Sequence, residues 1–220
     1  MKAKDVIYKQ LARIGQGLAS APRLALLDLL SQGPRTVEAL AKEAGLAVAN
    51  ASQHLKILRQ ARLVETEKHG VFVTYRLAED AVADFAFALR RLGERRLAEV
   101  QQIARDFVEK RGSFEAVDRR RLLERVRAGE VTLLDVRPVE EYRAAHIAGA
   151  VSLPLAELDG FLAALPKDRD VVAYCRGPYC VLAPEAVARL RARGFHAMAL
   201  SDGVAEWRAQ GLPLARGANP

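Results

Sequence analysis

The chain has 220 residues, half of them apolar, and a formal charge of +7 from 34 Lys and Arg against 27 Asp and Glu. That length accommodates two domains, and so large an apolar share excludes a disordered, charge-dominated chain. No apolar run approaches the roughly 20 residues of a membrane span, and two cysteines in one short stretch exclude a secreted disulfide framework. No charged-then-apolar leader opens the sequence, so the expected compartment is the cytoplasm, with no membrane partner. The basic excess is uneven: residues 1–112 hold 19 basic and 13 acidic side chains, residues 113–220 hold 15 and 14. Only the first half is therefore suited to a polyanion.

In chain order, Val6, Ile7, Leu11, Ile14 and Leu18 recur with helical spacing. Pro22 suits the first turn of a helix from Arg23 to Leu30. Gly33-Pro34 marks a turn, Thr36 can cap a helix through Ala44, and Gly45 ends it. The next helix is predicted over Val48 to Gln60. At 100° per residue, Val48, Ala51, Leu55 and Leu58 form its core stripe. Ala49, Ser52, Gln53, Lys56 and Gln60 lie opposite, with no acidic residue among them. An ordinary solvated face has this composition, and so does a helix in a DNA major groove, where Ser and Gln read base edges and Lys meets phosphate. The helix, Gly-containing turn and helix around residues 40–50 match the helix-turn-helix layout. Leu63–Glu67 and Val71–Leu77 then flank Lys68-His69-Gly70, which predicts a hairpin with a basic tip, a wing able to present Lys68 and Arg76 to the DNA backbone.

Residues 20–78 resemble the ArsR-type winged-helix regulators. The residues that carry the resemblance are Ser52-Gln53-His54-Leu55-Lys56-Ile57-Leu58, Ala61-Arg62-Leu63-Val64, Gly70 and Tyr75-Arg76-Leu77. The resemblance implies a homodimer on a palindromic, double-stranded operator, released when an inducer is sensed. Metal-sensing members use cysteines in the helix-turn-helix or a histidine and acidic cluster on the last helix. This chain has no cysteine before Cys175 and no histidine in residues 79–111, so neither a metal site nor a cofactor is expected. His54 lies at the flank of its helix as a packing residue. Residues 79–111 read as a long helical stretch, with Val82, Phe85, Leu89, Leu92, Val100, Ile103 and Phe107 apolar and Gly93 interrupting it. That stripe exceeds what one small domain buries, which suits pairing with a second copy.

Lys110-Arg111-Gly112-Ser113 is the expected junction, giving domains at 1–111 and 114–215. Asp118 can cap a helix through Ala128. Strands and helices then alternate over Val131–Asp135, Pro138–Ala144, Ala150–Leu153, Leu155–Ala164, Val171–Tyr174, Val181–Arg193, His196–Leu200 and Val204–Gln210. This order predicts a parallel sheet with helices on both faces. The expected fold is thus a mainly α winged helix-turn-helix with a β-hairpin wing, followed by an α/β domain. Chemistry on such sheets sits at strand C-termini, where Cys175 falls. Loop amides and a helix N-terminus there favour a thiolate.

Residues 114–215 are similar to rhodanese domains. The match runs through Leu133-Leu134-Asp135-Val136-Arg137, Glu141-Tyr142, His146-Ile147-Ala148-Gly149-Ala150, Pro154, the loop Cys175-Arg176-Gly177-Pro178-Tyr179-Cys180, and Asp202-Gly203-Val204 with Trp207. The resemblance implies sulfur transfer. Cys175 would take sulfane sulfur from a donor such as thiosulfate or polysulfide and hold it as a persulfide. The amides of residues 176–181, Gly177 and Tyr179 among them, would cradle the anionic sulfur. Asp135 and Arg137 would brace the loop as a pair, and His146 would be structural. Arg176 suits either an anionic donor or solvent. Cys180 suits either a resolving thiol or a packed one. Two functions follow: a repressor whose rhodanese-like domain senses reactive sulfur through Cys175, or a sulfurtransferase with an autoregulatory DNA-binding domain.

Overall fold

The computed structural model describes residues 3–70, 72–109 and 118–218. The expected junction at Lys110–Ser113 lies outside them. The chain divides into two compact units, residues 1–90 and 91–220.

The first unit begins with α1 (Ala3–Leu18), α2 (Ala21–Ser31) and the two-residue strand β1 (Arg35–Thr36). Pro22 stands in the first turn of α2. α3 (Val37–Glu43) starts where Thr36 Oγ1 accepts from the Ala39 amide at 3.3 Å. Gly45, at φ +65, makes the turn that the chain needs before α4 (Val48–Gln60). Along α4, Ala51, Leu55 and Leu58 are fully buried. They meet Leu26, Leu27, Leu30, Leu40 and Leu63 in one core cluster. Each buried leucine contributes about 2 kcal/mol. Val48, expected in that stripe, is instead 46% exposed. It is the first residue of the helix and precedes the turn that crosses the core.

β2 (Val64–His69) and β3 (Phe72–Leu77) form the wing, paired from Val64 with Leu77 to His69 with Phe72. Lys68 and His69 therefore belong to β2 rather than to the turn, and Gly70 at φ +63 makes the bend. β1 adds antiparallel to β3, a third strand the sequence did not suggest because two residues carry no period. α5 (Asp80–Arg96) continues from the wing and α6 (Ala98–Glu109) follows it. The break falls at Leu97, not at Gly93, which stays inside α5. A helical glycine costs only about 1 kcal/mol, which a long helix absorbs.

In the second unit α7 (Arg119–Arg127) is capped by Asp118, whose Oδ1 accepts from the Arg121 amide at 2.9 Å. Then come β4 (Val131–Asp135), α8 (Val139–Ala144), β5 (His146–Ile147), β6 (Val151–Ser152), α9 (Leu158–Phe161) with a 3-10 turn, β7 (Asp170–Tyr174), α10 (Leu182–Ala192), β8 (Ala197–Ala199), α11 (Val204–Ala209) and β9 (Leu214–Ala215). The sheet order is β6-β4-β7-β8, and every pairing is parallel. β5 pairs apart from it with β9. Two apolar clusters cover the sheet. One joins Leu134, Val171 and Ala173 to Ala186 and Leu190 of α10. The other joins Leu133, Val172 and Tyr174 to Leu122, Tyr142 and Trp207. β4 and β7 are buried on both faces, and their C-terminal ends place Asp135 and Tyr174 side by side.

Candidate functional site

β7 ends at Tyr174, and the next six residues, Cys175 to Cys180, turn the chain toward α10. Gly177 takes φ +118, a region that side-chain-bearing residues avoid. Its Cα faces Glu206, so a β-carbon there would stand 3.1 Å from both carboxylate oxygens. The Cys180 amide donates to the Gly177 carbonyl at 3.1 Å, closing a tight turn. Beneath the loop lies Gly203, whose amide donates to Glu206 Oε2 at 2.7 Å. A β-carbon on Gly203 would stand 2.7 Å from the Arg176 carbonyl carbon and 2.8 Å from the Cys175 carbonyl oxygen. The segment around Gly203 is thus the floor on which the thiol loop rests.

Cys175 is 1% exposed, and Cys180 is half-buried. The two thiols are hydrogen-bonded to each other. Cys175 also takes the amides of Ala183 and Arg176, and Cys180 those of Arg176 and Leu182. The amides that touch sulfur thus come from Arg176 and from Leu182 and Ala183 at the start of α10. The expected Cys175 thiolate does not match this geometry. The bond to Cys180, then burial, pushes the Cys175 thiol up. The same bond, received by the less enclosed sulfur, lowers the Cys180 thiol. The bond thus sets the two thiols apart, raising the more enclosed one and lowering the other.

A ladder of alternating charges supports this loop. Arg137 Nε donates to Asp135 Oδ1 at 2.9 Å and Arg137 Nη2 to Asp135 Oδ2 at 2.6 Å. Both side chains are fully buried. Arg137 Nη2 also donates to the Ala145 carbonyl at 2.7 Å. Tyr174 donates its hydroxyl to Asp135 at 2.6 Å and accepts from the Ile147 amide at 3.0 Å. Burial, then the Asp135 charge, holds the Tyr174 phenol well above its ordinary value, so it remains a donor. Glu141 lies 4.0 Å from Arg137 and takes the guanidinium of Arg176, with Nε 3.0 Å from Oε2. Arg176 therefore points to Glu141 rather than to an incoming anion. His146 stacks on Tyr142 at 3.7 Å, and its Nδ1 lies 2.8 Å from the Tyr142 carbonyl. Tyr179 is more exposed and donates to Glu94 at 2.7 Å. Glu141, Glu206 and Tyr174 had no place among the expected site residues. An acidic residue in a short helix reads as solvent-facing until the fold buries it.

In the first unit, Gln53, Lys56 and Gln60 are exposed along α4, and Ser52 beside them is half-buried. Lys68 is exposed on β2, and Arg76 on β3 pairs with Glu65 across the hairpin at 2.6 Å. His54 is half-buried, and its enclosed Nδ1 has no hydrogen-bond partner among the described residues.

The fold and the loop together define a winged-helix protein carrying a rhodanese-type α/β domain. Residues 21–66 match the family of bacterial regulatory proteins called arsR, and residues 118–210 match the rhodanese-like domain. The HTH-type transcriptional regulator Rv0324 of Mycobacterium tuberculosis is 47% identical over 216 residues, covering 98% of this chain and 94% of that protein. A sulfurtransferase of Allochromatium vinosum is 34% identical over 86 residues, 39% of this chain and 78% of that one. The solution structure of the homodimeric winged helix-turn-helix DNA-binding domain of Mb0332 from Mycobacterium bovis has 35% identity. It covers 45% of this chain and 92% of that one, with a TM-score of 0.43. The chain belongs to the ArsR family of transcriptional regulators and bears a rhodanese-like domain at its C-terminal end. Among the described residues, no helix is long and apolar enough to cross a membrane.

Proposed function

We propose that the chain is a dimeric repressor whose affinity for operator DNA is set by the chemical state of the Cys175–Cys180 pair. The observation that supports this reading most directly is the hydrogen bond between these two thiols, the only two in the chain, at the head of a helix. Such a pair reacts with sulfane sulfur and can close on itself. Donors of this kind, polysulfide or thiosulfate, are the expected inducers. Ser52, Gln53, Lys56 and Gln60 would face the major groove, with Lys68 and Arg76 beside the backbone.

Dimerisation has its own support. Leu11 and Phe85 are 54% and 52% exposed, and they line an open cleft of about 730 Å³ with Ile14, Leu63 and Val82. An apolar cleft of that kind is suited to a second copy.

A coupling of about 1–3 kcal/mol between thiol state and DNA affinity makes a usable switch. The test is binding to a DNA site selected from a random pool, using reduced protein, polysulfide-treated protein and Cys175→Ser. Polysulfide should weaken binding by the wild type and leave the variant's affinity unchanged. Equal affinity in all three would dismiss sulfur sensing.

A further inference from the structure

We infer that Arg59 and Arg62 hold a backbone phosphate of duplex DNA in the notch between α4 and the wing. The inference rests on the reading of α4 as the DNA-facing helix and adds a contact outside the residues named for it. Among the described residues, Arg62 is the only one with a side chain and a left-handed backbone, at φ +60. It follows the end of α4. Its amide donates to the Arg59 carbonyl at 3.0 Å, and the Leu63 amide reaches back to the Leu58 carbonyl at 3.0 Å. Glycine is the ordinary residue at this place in a helix end, because a β-carbon strains the conformation. An arginine here costs stability, and such strain gathers where a side chain has work to do. Arg59 follows Ser52 by seven residues and Lys56 by three, so it shares their face of the helix, and it is exposed.

Both arginines line one cleft of about 330 Å³, with Val64, Glu65 and Thr66. Neither guanidinium has a hydrogen bond or ion pair among the described residues. Glu65, the carboxylate on that cleft, is taken by Arg76 at 2.6 Å. The notch therefore holds two uncompensated cations. Its walls both carry expected DNA contacts, Lys56 and Gln60 on α4 and Lys68 on β2. When a helix enters the major groove and a wing reaches the flanking backbone, the phosphate strand between them crosses the space that separates helix from wing. Arginine suits that strand, because its planar fork grips two phosphate oxygens at once. The carbonyl end of α4 disfavours a free anion. The occupant is thus a phosphate of the polymer, carried in by contacts on either side.

The test measures full-length protein on two duplexes, one selected from a random pool and one of unrelated sequence, by fluorescence anisotropy across a salt series. The variants are Arg59→Gln, Arg62→Gly and Arg62→Lys, with Arg120→Gln on α7 as a control for lost charge. Arg59→Gln and Arg62→Gly should each lower the slope of log affinity against log salt by about 0.9 on both duplexes. Arg62→Lys should keep the slope. Arg62→Gly should also melt at a higher temperature, since glycine relaxes the φ +60 backbone. A more stable protein that binds DNA less well separates the role of the side chain from folding. Arg62→Gly with a raised melting temperature and an unchanged slope overturns the phosphate seat. A slope that falls as far in Arg120→Gln overturns it as well, because net charge alone would then be at work. If Lys56→Ala lowers the slope and neither arginine variant does, α4 still faces DNA and the seat alone fails. If the arginine variants lower it and Lys56→Ala does not, the seat stands and the role given to Lys56 fails.

Discussion

Glu141 holds Arg176 by its guanidinium, with Nε 3.0 Å from Oε2, although it begins on a different helix 35 residues earlier in the chain. The carboxylate also lies 4.0 Å from Arg137. One buried anion thus compensates two cations, one in the thiol loop and one at the end of β4. Glu141→Ala leaves both without it, and losing one partner of a buried pair costs about 3–5 kcal/mol. Urea unfolding of the second unit should lose about that much stability. A loss below about 1 kcal/mol would mean that solvent takes over the role of Glu141.

Gly203→Ala should disturb the thiol loop from below. The new β-carbon would fall 2.7 Å from the Arg176 carbonyl carbon, so the backbone has to move. Overpacking of this kind costs about 1–3 kcal/mol. The same shift separates the sulfurs from their amides, so alkylation of Cys180 should slow near neutral pH. Unchanged stability and unchanged alkylation would contradict the floor described for this loop.

The thiol pair has a pH signature. The hydrogen bond from Cys175 lowers the Cys180 thiol to about 6. Thiolate accumulates as pH rises, so the iodoacetamide rate should climb with pH and reach half its plateau at a pH of about 6. Cys175→Ala removes the donor, and the midpoint should move up toward the ordinary thiol value of about 8.5. A midpoint that stays in place would detach the shift from the partner thiol.

If α4 reads the operator as proposed, Gln53→Ala should weaken specific binding by about 1–3 kcal/mol. Lys56→Ala should weaken specific and non-specific binding alike and lower the salt dependence by about one released counterion. Fluorescence anisotropy across a salt series separates the two. Identical salt slopes for wild type and Lys56→Ala would remove Lys56 from the phosphate contacts.

Leu11→Glu combined with Phe85→Glu should give a monomer in sedimentation, because charge would enter the open cleft from two sides. DNA affinity should fall with it, as two half-sites need two recognition helices. A dimer that survives both changes must be held by another surface.

Much of this architecture is legible in the sequence. The span Val48–Gln60 of α4 follows from a Gly turn before it and a leucine stripe along it, both local signals. The parallel sheet follows from alternating apolar runs and helical patterns. Local signals fail where tertiary placement decides. Val48 fits the period but precedes the turn that crosses the core. Gly93 reads as a breaker and is carried inside α5. β1 is too short to show a period and exists only because β3 is beside it. In the thiol loop the cysteines stand out by their rarity, yet which sulfur carries the charge depends on burial and on mutual distance. Glu206, seven residues from the end of β8, gives no sign in the sequence that it will lie under Gly177.

Two thiols that share one proton carry one negative charge, and a disulfide carries none. Arg176 stands in the same loop, its guanidinium held by Glu141 and favouring charge on Cys180. Under the proposed switch, closing the pair would remove that anion and leave Glu141 as the counter-ion of the guanidinium. The first consequence of oxidation would then be electrical, a change in how the Arg176 charge is balanced.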